Sequence, residues 1–383
     1  MRKLVTGSGF RVPGFGWPVV AIAVLSTASC GKKEAARPEP VTLTASAGYL
    51  PAVAGWKYDF PRDHGSHPPF ATEWWYYTGH LRDNSNHTFG YELTFFRVGV
   101  SPHGAHRKSA WAVRDIYMAH LAVTDETAGT FTYFDEISRG SLGDASAAVG
   151  RLAVHLGTWS AREKDGSILL KGVKNGYGVE LSALPTKPPA IHGQGGISRK
   201  GPGVGQASHY YSLTRMKTTG RICLAGKWAG VRGESWFDHE FGSASLSAGQ
   251  VGWDWFSLQM DDGTEAMLYL MRSANGKPGR YSSGTLVDVS GKTTYLPADD
   301  FRVDNLAHWD SAASGANYPS KWRITIPKAR WDVTVEPTVA DQELRTLHST
   351  GVTYYEGSAR VSGQANGQAM SGKAYVELTG YGG

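Results

Sequence analysis

The sequence of 383 residues predicts an all-β protein that consists of two tandem antiparallel β-barrel domains. Glycine and aromatic residues are abundant, whereas charged residues make up only 19% of the chain. Many short strands joined by glycine turns, with large aromatic side chains facing inward, give such a composition. Short alternating runs are separated by Gly, Pro, Asn or Asp, and no segment shows a long, capped helical period. A chain of this length is expected to form two domains rather than one.

A weak internal repeat supports this division into two halves. The segment Trp74–Asp83 (WWYYTGHLRD) matches Trp253–Asp262 (WDWFSLQMDD), with aromatic residues on aromatic residues and Asp on Asp. Further along each half, Gly233–Asp238 (GESWFD) matches Gly372–Glu377 (GKAYVE). Because both landmarks recur in the same order, each half is expected to form one closed or nearly closed barrel. An eight-stranded barrel of this kind can hold one small ligand.

The N-terminal residues predict export. Residues 1–29 combine a basic start, an apolar run too short to cross a bilayer as a helix, and small residues before Cys30, as in a lipoprotein-type signal peptide. Cys30 is the predicted lipidation site, although Thr27 stands where such sites usually carry Leu. The alternative is an ordinary secretory signal with an incidental cysteine. The predicted location is the periplasmic side of a bacterial membrane, anchored through Cys30.

The mature chain is expected to comprise a tether and the two barrels. Residues 30–50 are polar and form the flexible tether. The N-terminal domain is predicted over residues 51–245, with a long stretch between its landmarks, and the C-terminal domain over residues 246–383. Loss of the leader removes three basic residues and no acid, which lowers the net charge from +5 to about +2. A nucleic-acid partner is therefore not expected.

Several catalytic classes are excluded because their motifs are absent from the sequence. There is no Gly-x-Ser-x-Gly turn, no His-Glu-x-x-His pair, no cysteine cluster and no dinucleotide fingerprint. Neither a metal nor another cofactor is therefore expected. The glycine-rich segment of residues 192–205 lacks the Lys-Ser/Thr ending of a phosphate loop, so a mobile flap or a plain loop is predicted there.

The landmark segments resemble the AttH-like family. The resemblance rests on Phe60–Gly65 (FPRDHG), Glu73–His80 (EWWYYTGH), Ser235–Gly242 (SWFDHEFG) and Gly252–Leu258 (GWDWFSL), and it spans roughly residues 56–381. This family includes the carotenoid 1,2-hydratases, also called hydroxyneurosporene synthases, and many exported proteins described as predicted secreted hydrolases. The resemblance implies two lipocalin-like domains and a lipophilic or isoprenoid ligand.

Asp238 and His239 are candidate catalytic residues because they form the densest ionisable cluster beside aromatic residues. On a regular strand the two side chains point to opposite faces, so they can share a pocket only if the strand ends near His239. The repeat places Glu377 at the position of Asp238 and Leu378 at that of His239. An acid therefore occupies this position in both halves, whereas the histidine occurs only in the first half. The alternative is an acid that accepts structural hydrogen bonds.

Asp254 is the third candidate catalytic residue. On an extended strand it faces away from Trp253 and Trp255 and shares its face with Phe256 and Leu258. Such apolar neighbours would desolvate the carboxyl group and raise its pKa, as a general acid requires at neutral pH. The alternative is an acid held by backbone donors at the domain junction.

The candidate ligand-binding residues are aromatic and polar side chains at the same landmarks. They are Glu73, Trp75, Tyr77, His209, Tyr211, Trp236, Trp253 and Trp255. Tryptophan and tyrosine rings can form the walls of an apolar pocket and can also stabilise a cation. Packing within a core is the alternative role for each of them.

Three functions are consistent with these features. The first is a membrane-tethered protein that binds a hydrophobic lipid or isoprenoid, either alone or with a transporter complex. The second is a lyase of the carotenoid hydratase type, in which an acid protonates an isoprenoid double bond and water adds to the resulting cation. The third is a secreted hydrolase of unknown substrate, although the sequence shows no nucleophile–base pair.

Overall fold

The computed structural model describes residues 48–100, 102, 113–244, 246–276 and 278–382. The predicted leader, the lipidation site at Cys30 and nearly all of the tether lie outside the described residues. The described residues all belong to one compact unit. Within the described part of this unit, no helix is long and apolar enough to cross a membrane. The helical elements there are single 3-10 turns: Arg62–His64, Ser141–Gly143, Ala298–Asp300 and Pro327–Ala329.

All other regular elements are β-strands in two antiparallel sheets. The first sheet contains β1 (Thr72–Asp83), β2 (Thr88–Gly99), β3 (Asp115–Asp125), β4 (Thr130–Ser138), β5 (Ala145–Ala147), β6 (Ala153–Leu156), β7 (Trp159–Lys164), β8 (Ser167–Lys174), β9 (Tyr177–Pro185), β10 (Ala190–Ile191), β11 (Ser198–Arg199), β12 (Ala207–Leu224) and β13 (Lys227–Gly242). The second contains β14 (Gln250–Met260), β15 (Glu265–Ser273), β16 (Ser283–Val287), β17 (Thr293–Pro297), β18 (Arg302–Asp310), β19 (Asn317–Ile326), β20 (Trp331–Pro337), β21 (Glu343–Thr346), β22 (Val352–Ala365) and β23 (Gln368–Thr379).

The strand order is related in the two sheets. The first follows β4-β3-β2-β1-β13-β12-β9-β8-β7-β6-β5, and β10 and β11 also pair with β12. The second follows β17-β16-β15-β14-β23-β22-β20-β19-β18, and β21 also pairs with β22. Both sheets curl towards closure, which confirms the predicted all-β fold with two lipocalin-like barrels. The run β2-β1-β13-β12 corresponds to β15-β14-β23-β22, so the strands that carry the sequence repeat occupy equivalent places.

The change from one sheet to the other falls between Gly242 and Gln250. The predicted domain boundary between residues 245 and 246 falls within this interval, and it stays a prediction. The glycine-rich segment of residues 192–205 is tied to β12 through β11, where Ser198 is opposite Ser208.

The central strands are buried on both faces because alternate residues enter different cores. Trp75 and Tyr77 of β1 belong to the core of the first barrel, whereas Tyr76 packs between the two sheets. We call this second cluster the shared layer. It consists of Tyr76, Tyr210, Trp236, Trp255, Met267, Tyr269, Met271 and Tyr375.

Candidate functional site

Strand β13 separates Asp238 from His239. Its pairing with β1 is regular through this region, with Trp75 opposite His239 and Tyr76 opposite Asp238. Asp238 therefore points into the shared layer, and His239 points into the first barrel. The strand continues to Gly242, so the two side chains belong to different sites.

Asp238 is a buried acid surrounded by hydrogen-bond donors. Tyr210 donates its hydroxyl hydrogen to Oδ2 at 2.7 Å, and the indole N–H of Trp236 donates to Oδ1 at 2.6 Å. The hydroxyl of Ser212 also donates to Oδ1. Burial raises the pKa of Asp238 to about 7, although these three hydrogen bonds oppose the shift. The side chain can therefore hold a proton near neutral pH.

Ser212 connects Asp238 to a histidine that the sequence did not single out. Nε2 of His192 lies 2.6 Å from the Ser212 hydroxyl oxygen, and Nδ1 lies 2.9 Å from the hydroxyl oxygen of Thr285. Burial lowers the pKa of His192 to about 3, so its imidazole is neutral. The result is a continuous chain of hydrogen bonds from Thr285 in β16 to Asp238 in β13.

The predicted tryptophans Trp236, Trp253 and Trp255 all lie in or against the shared layer. The indole N–H of Trp255 donates to the Tyr210 hydroxyl at 2.9 Å. The Trp236 and Trp255 rings meet edge to face, with centroids 6.1 Å apart. Aromatic faces and edges therefore cover the region around Asp238.

Three further acids of the same region come from different strands. Burial raises the pKa of Glu92 to about 8 and that of Glu377 to about 7, and it raises the pKa of Glu356 well above its usual value. Tyr76 donates a hydrogen bond to Glu356. Within the described chain, both carboxyl oxygens of Glu92 and Oε2 of Glu356 lack a hydrogen bond of normal geometry. Buried oxygens of this kind are available to a ligand or to water.

The amine of Lys200 reaches the edge of the shared layer. Nζ of Lys200 lies 3.0 Å from Oε1 of Glu240 and 3.7 Å from the ring centroid of Tyr269. Lys200 follows β11 directly, so the glycine-rich segment brings a positive charge to the layer. Sequence reasoning missed Lys200, Glu92 and Glu356 because no local motif surrounds them.

Glu73 and His239 meet inside the first barrel. Oε1 of Glu73 lies 3.0 Å from Nε2 of His239 and 2.8 Å from Nδ1 of His67. Arg97 donates to Oε2 at 3.0 Å. Although burial opposes it, hydrogen bonds from His239 and His67 and the Arg97 charge hold the pKa of Glu73 well below its usual value. The Trp75 ring stacks on His239, with centroids 5.0 Å apart.

Tyr77, Tyr211 and His209 are also on the first-barrel side of their strands. Tyr77 stacks on Phe237, with centroids 4.6 Å apart, as a core side chain does. The Tyr211 hydroxyl lies 2.6 Å from Nδ1 of His64. Burial lowers the pKa of His64 to about 4. His209 borders an apolar cavity of about 400 Å³ near the start of the described chain. The cavity is lined by Leu50, Pro51, Val53, Ala54, Gly55, Trp56, Phe70 and His209.

Asp254 lies in a third environment, separate from those of Asp238 and His239. It faces the core of the second barrel, in which Phe256 and Leu258 are buried. Nε of Arg272 lies 3.0 Å from Oδ1, and the Tyr381 hydroxyl donates to Asp254 at 2.9 Å. Burial raises its pKa to about 6, against the effects of Arg272 and Tyr381. The three candidate catalytic residues are therefore in three separate environments.

Two curled antiparallel sheets with an acid-bearing aromatic layer between them define a two-barrel, lipocalin-like protein. The family model described as AttH-like matches residues 51–381, and the chain belongs to this family. A comparison with curated proteins finds no match.

Several solved structures share this architecture. An AttH protein from Nitrosomonas europaea is 31% identical, with a TM-score of 0.77 over 87% of this chain and 99% of that chain. Kievitone hydratase from Nectria haematococca is 15% identical, with a TM-score of 0.65 over 89% and 98% of the two chains. CghA with Sch210972 is 11% identical, with a TM-score of 0.52 over 88% and 98%. At these identities, the last two show the fold alone.

Proposed function

We propose that this protein adds water to a carbon–carbon double bond of a lipophilic, isoprenoid-type ligand bound in the shared layer, or catalyses the reverse reaction. The observation that carries the proposal is the position of Asp238. It is a fully buried acid whose pKa is raised to about 7, and it contacts Tyr210 and Trp236. This combination provides a proton donor beside aromatic rings.

In the proposed reaction, Asp238 is the general acid. Its proton forms a C–H bond with one alkene carbon, and the other carbon becomes a tertiary carbocation. The faces of Trp236 and Trp255 stabilise this cation. Water then forms the new C–O bond, and the proton that it releases returns to the Asp238 carboxylate. General acid assistance of this kind contributes about 10²–10⁴-fold to a rate.

The unsatisfied acids of the layer support ligand binding at the same place. Glu92 and Glu356 are buried, and their raised pKa values favour the neutral acid. A neutral carboxylic acid can donate a hydrogen bond to a hydroxyl or carbonyl group of a ligand. The name of kievitone hydratase, whose structure shares this fold, is consistent with hydration chemistry, although fold alone does not establish it.

The test uses the mature chain, acyclic isoprenoid alkenes and water labelled with heavy oxygen. Mass spectrometry should detect one labelled hydroxyl group in the product. Asp238→Asn should lower the rate by about 10²–10⁴-fold. Asp332→Asn is the matched control and should leave the rate unchanged, because Asp332 is a half-buried surface acid paired with Arg323. Because the protonated acid is required, the rate should fall as pH rises through about 7.

A second candidate function is ligand carriage without conversion. The apolar cavity beside Trp56 and His209 favours it, because a carrier requires only an apolar pocket with few polar anchors. Mass spectrometry of lipids that co-purify with the chain would identify the cargo. Bound lipid without any labelled product would favour the carrier and exclude the hydratase.

We also propose that the protein is exported and anchored at Cys30. The support is the leader sequence and the small residues that precede this cysteine. Replacement Cys30→Ser should move the protein from the membrane fraction to the soluble fraction of the exporting cell. Unchanged membrane association would contradict the anchor.

A further inference from the structure

Three potential ligand atoms meet inside the first barrel, on the opposite face of β13 from Asp238. Nδ1 of His67, Oε1 of Glu73 and Nε2 of His239 all lie within 4.8 Å of one another. Both ring nitrogens point to the same carboxyl oxygen, at 2.8 Å and 3.0 Å. We propose that these three side chains bind one divalent transition-metal ion of the Zn²⁺ type.

The outer nitrogens of both histidines provide an independent indication. Nδ1 of His239 lies 3.1 Å from the main-chain oxygen of Asp63, and Nε2 of His67 faces the Asp63 carboxylate at 3.6 Å. Histidines that bind metals almost always direct the other ring nitrogen to a carbonyl or carboxylate oxygen, which fixes the tautomer. Asp63 supplies both kinds of acceptor, one to each ring.

The two imidazoles are close together and shielded from water. Their ring centroids are 5.5 Å apart, and both rings are buried. One divalent ion at the inner nitrogens would bind both rings in the neutral form, because an imidazole nitrogen that binds a metal carries no hydrogen.

The surrounding side chains hold the three ligands in place. The Phe241 ring stacks on His67 with a centroid distance of 3.7 Å and an interplanar angle of 8°. Arg97 and Ser66 bind the other carboxyl oxygen of Glu73, at 3.0 Å and 2.9 Å, so Oε1 faces the histidines. Two imidazoles and one carboxylate suit Zn²⁺, and three protein ligands are the number found at catalytic zinc sites.

The experiment is a calorimetric titration of the chelator-treated full chain with Zn²⁺, repeated in buffers of different ionisation enthalpy. We expect one tightly bound ion per chain, with release of protons. Saturating Zn²⁺ should also raise Tm by about 5 °C. His239→Gln and Glu73→Gln should each weaken binding by about 100-fold or more. His120→Gln is the matched control, because His120 is buried but contacts Tyr354 and Ser349 instead.

Either of two results would overturn the proposal. One is the absence of stoichiometric Zn²⁺ binding to the wild-type chain, and the other is equal binding by His239→Gln and His120→Gln. If the variants fail to fold, the wild-type chain still decides. Cobalt(II) should give d–d absorption bands with displacement of protons, whereas a spectrum identical to that of free cobalt(II) excludes the site.

Discussion

The interiors of the two barrels differ although the same repeat builds both. In the first barrel, Arg97 at the end of β2 binds Glu73, and Glu73 also contacts two histidines. In the second, Arg272 at the equivalent place in β15 binds Asp254, and Tyr381 completes that group. The repeat therefore retains an arginine with an acid partner in each barrel, but only the first barrel gathers imidazoles around the acid.

The shared layer, unlike the two barrel interiors, is similar in the two halves. Asp238 and Glu377, which are matched in the repeat, both enter this layer, and desolvation raises the pKa of each to about 7. The next residue in each half points into the barrel of that half. This residue is the polar His239 in the first barrel and the apolar Leu378 in the second. The layer between the sheets is thus chemically similar in both halves, whereas the two interiors have specialised.

The largest effect is expected from Glu73→Ala. This change removes one of the two carboxylate partners of the buried Arg97 and the acceptor of two buried histidines, so the free energy of unfolding should fall by about 3–5 kcal/mol. The corresponding change in the second barrel, Asp254→Ala, should cost about 1–3 kcal/mol, because it removes an acceptor from Arg272 and Tyr381 but from no histidine. Urea denaturation measures both. Equal losses would show that the two groups are energetically alike.

A smaller effect is expected when the interiors are made alike by mutation. Leu378→His places an imidazole in an apolar core without partners, and the free energy of unfolding should fall by about 2–3 kcal/mol. Leu378→Met is the volume-matched control and should cost less than about 1.5 kcal/mol. If the histidine variant were as stable as the methionine variant, the second interior would tolerate polarity, and the contrast would fail.

The smallest effect concerns the shared layer and pH. The folded pKa of Asp238 is above its unfolded value, so the native state binds more protons and stability falls as pH rises toward about 7. Between pH 6 and pH 8 the loss from this group should be about 1 kcal/mol. Asp238→Asn should lose less stability over that interval. A stability curve with the same slope in the variant would show that Asp238 is ionised throughout.

The sequence predicted the fold better than the site. Alternation at Tyr91–Phe96 and the Gly-containing turns indicated strands, and the landmarks Trp74–Asp83 and Trp253–Asp262 became the equivalent strands β1 and β14. The opposite directions of Asp238 and His239 also followed from the period of two. These properties are local, because neighbouring residues determine which face of a strand each side chain occupies.

The groupings of side chains could not be predicted in the same way. His192 meets Asp238 through Ser212, although 20 residues separate His192 from Ser212. In the first barrel, 166 residues separate Glu73 from His239. Sequence spacing therefore gave no sign of a metal site, and the expectation that no metal binds rested only on the absence of familiar motifs.

By itself, the sequence determined the β-class, the two related halves and the face that each side chain occupies, because these depend on periodicity and turn chemistry within short segments. Only the tertiary structure decided which faces meet. Closure of each sheet brought β1 beside β13 and joined His67, Glu73 and His239. Packing between the sheets placed Asp238, Glu377 and Glu92 in one layer, where desolvation raises the pKa of each. Partner choice and desolvation are long-range effects, and they turn ordinary acids and histidines into candidate functional groups.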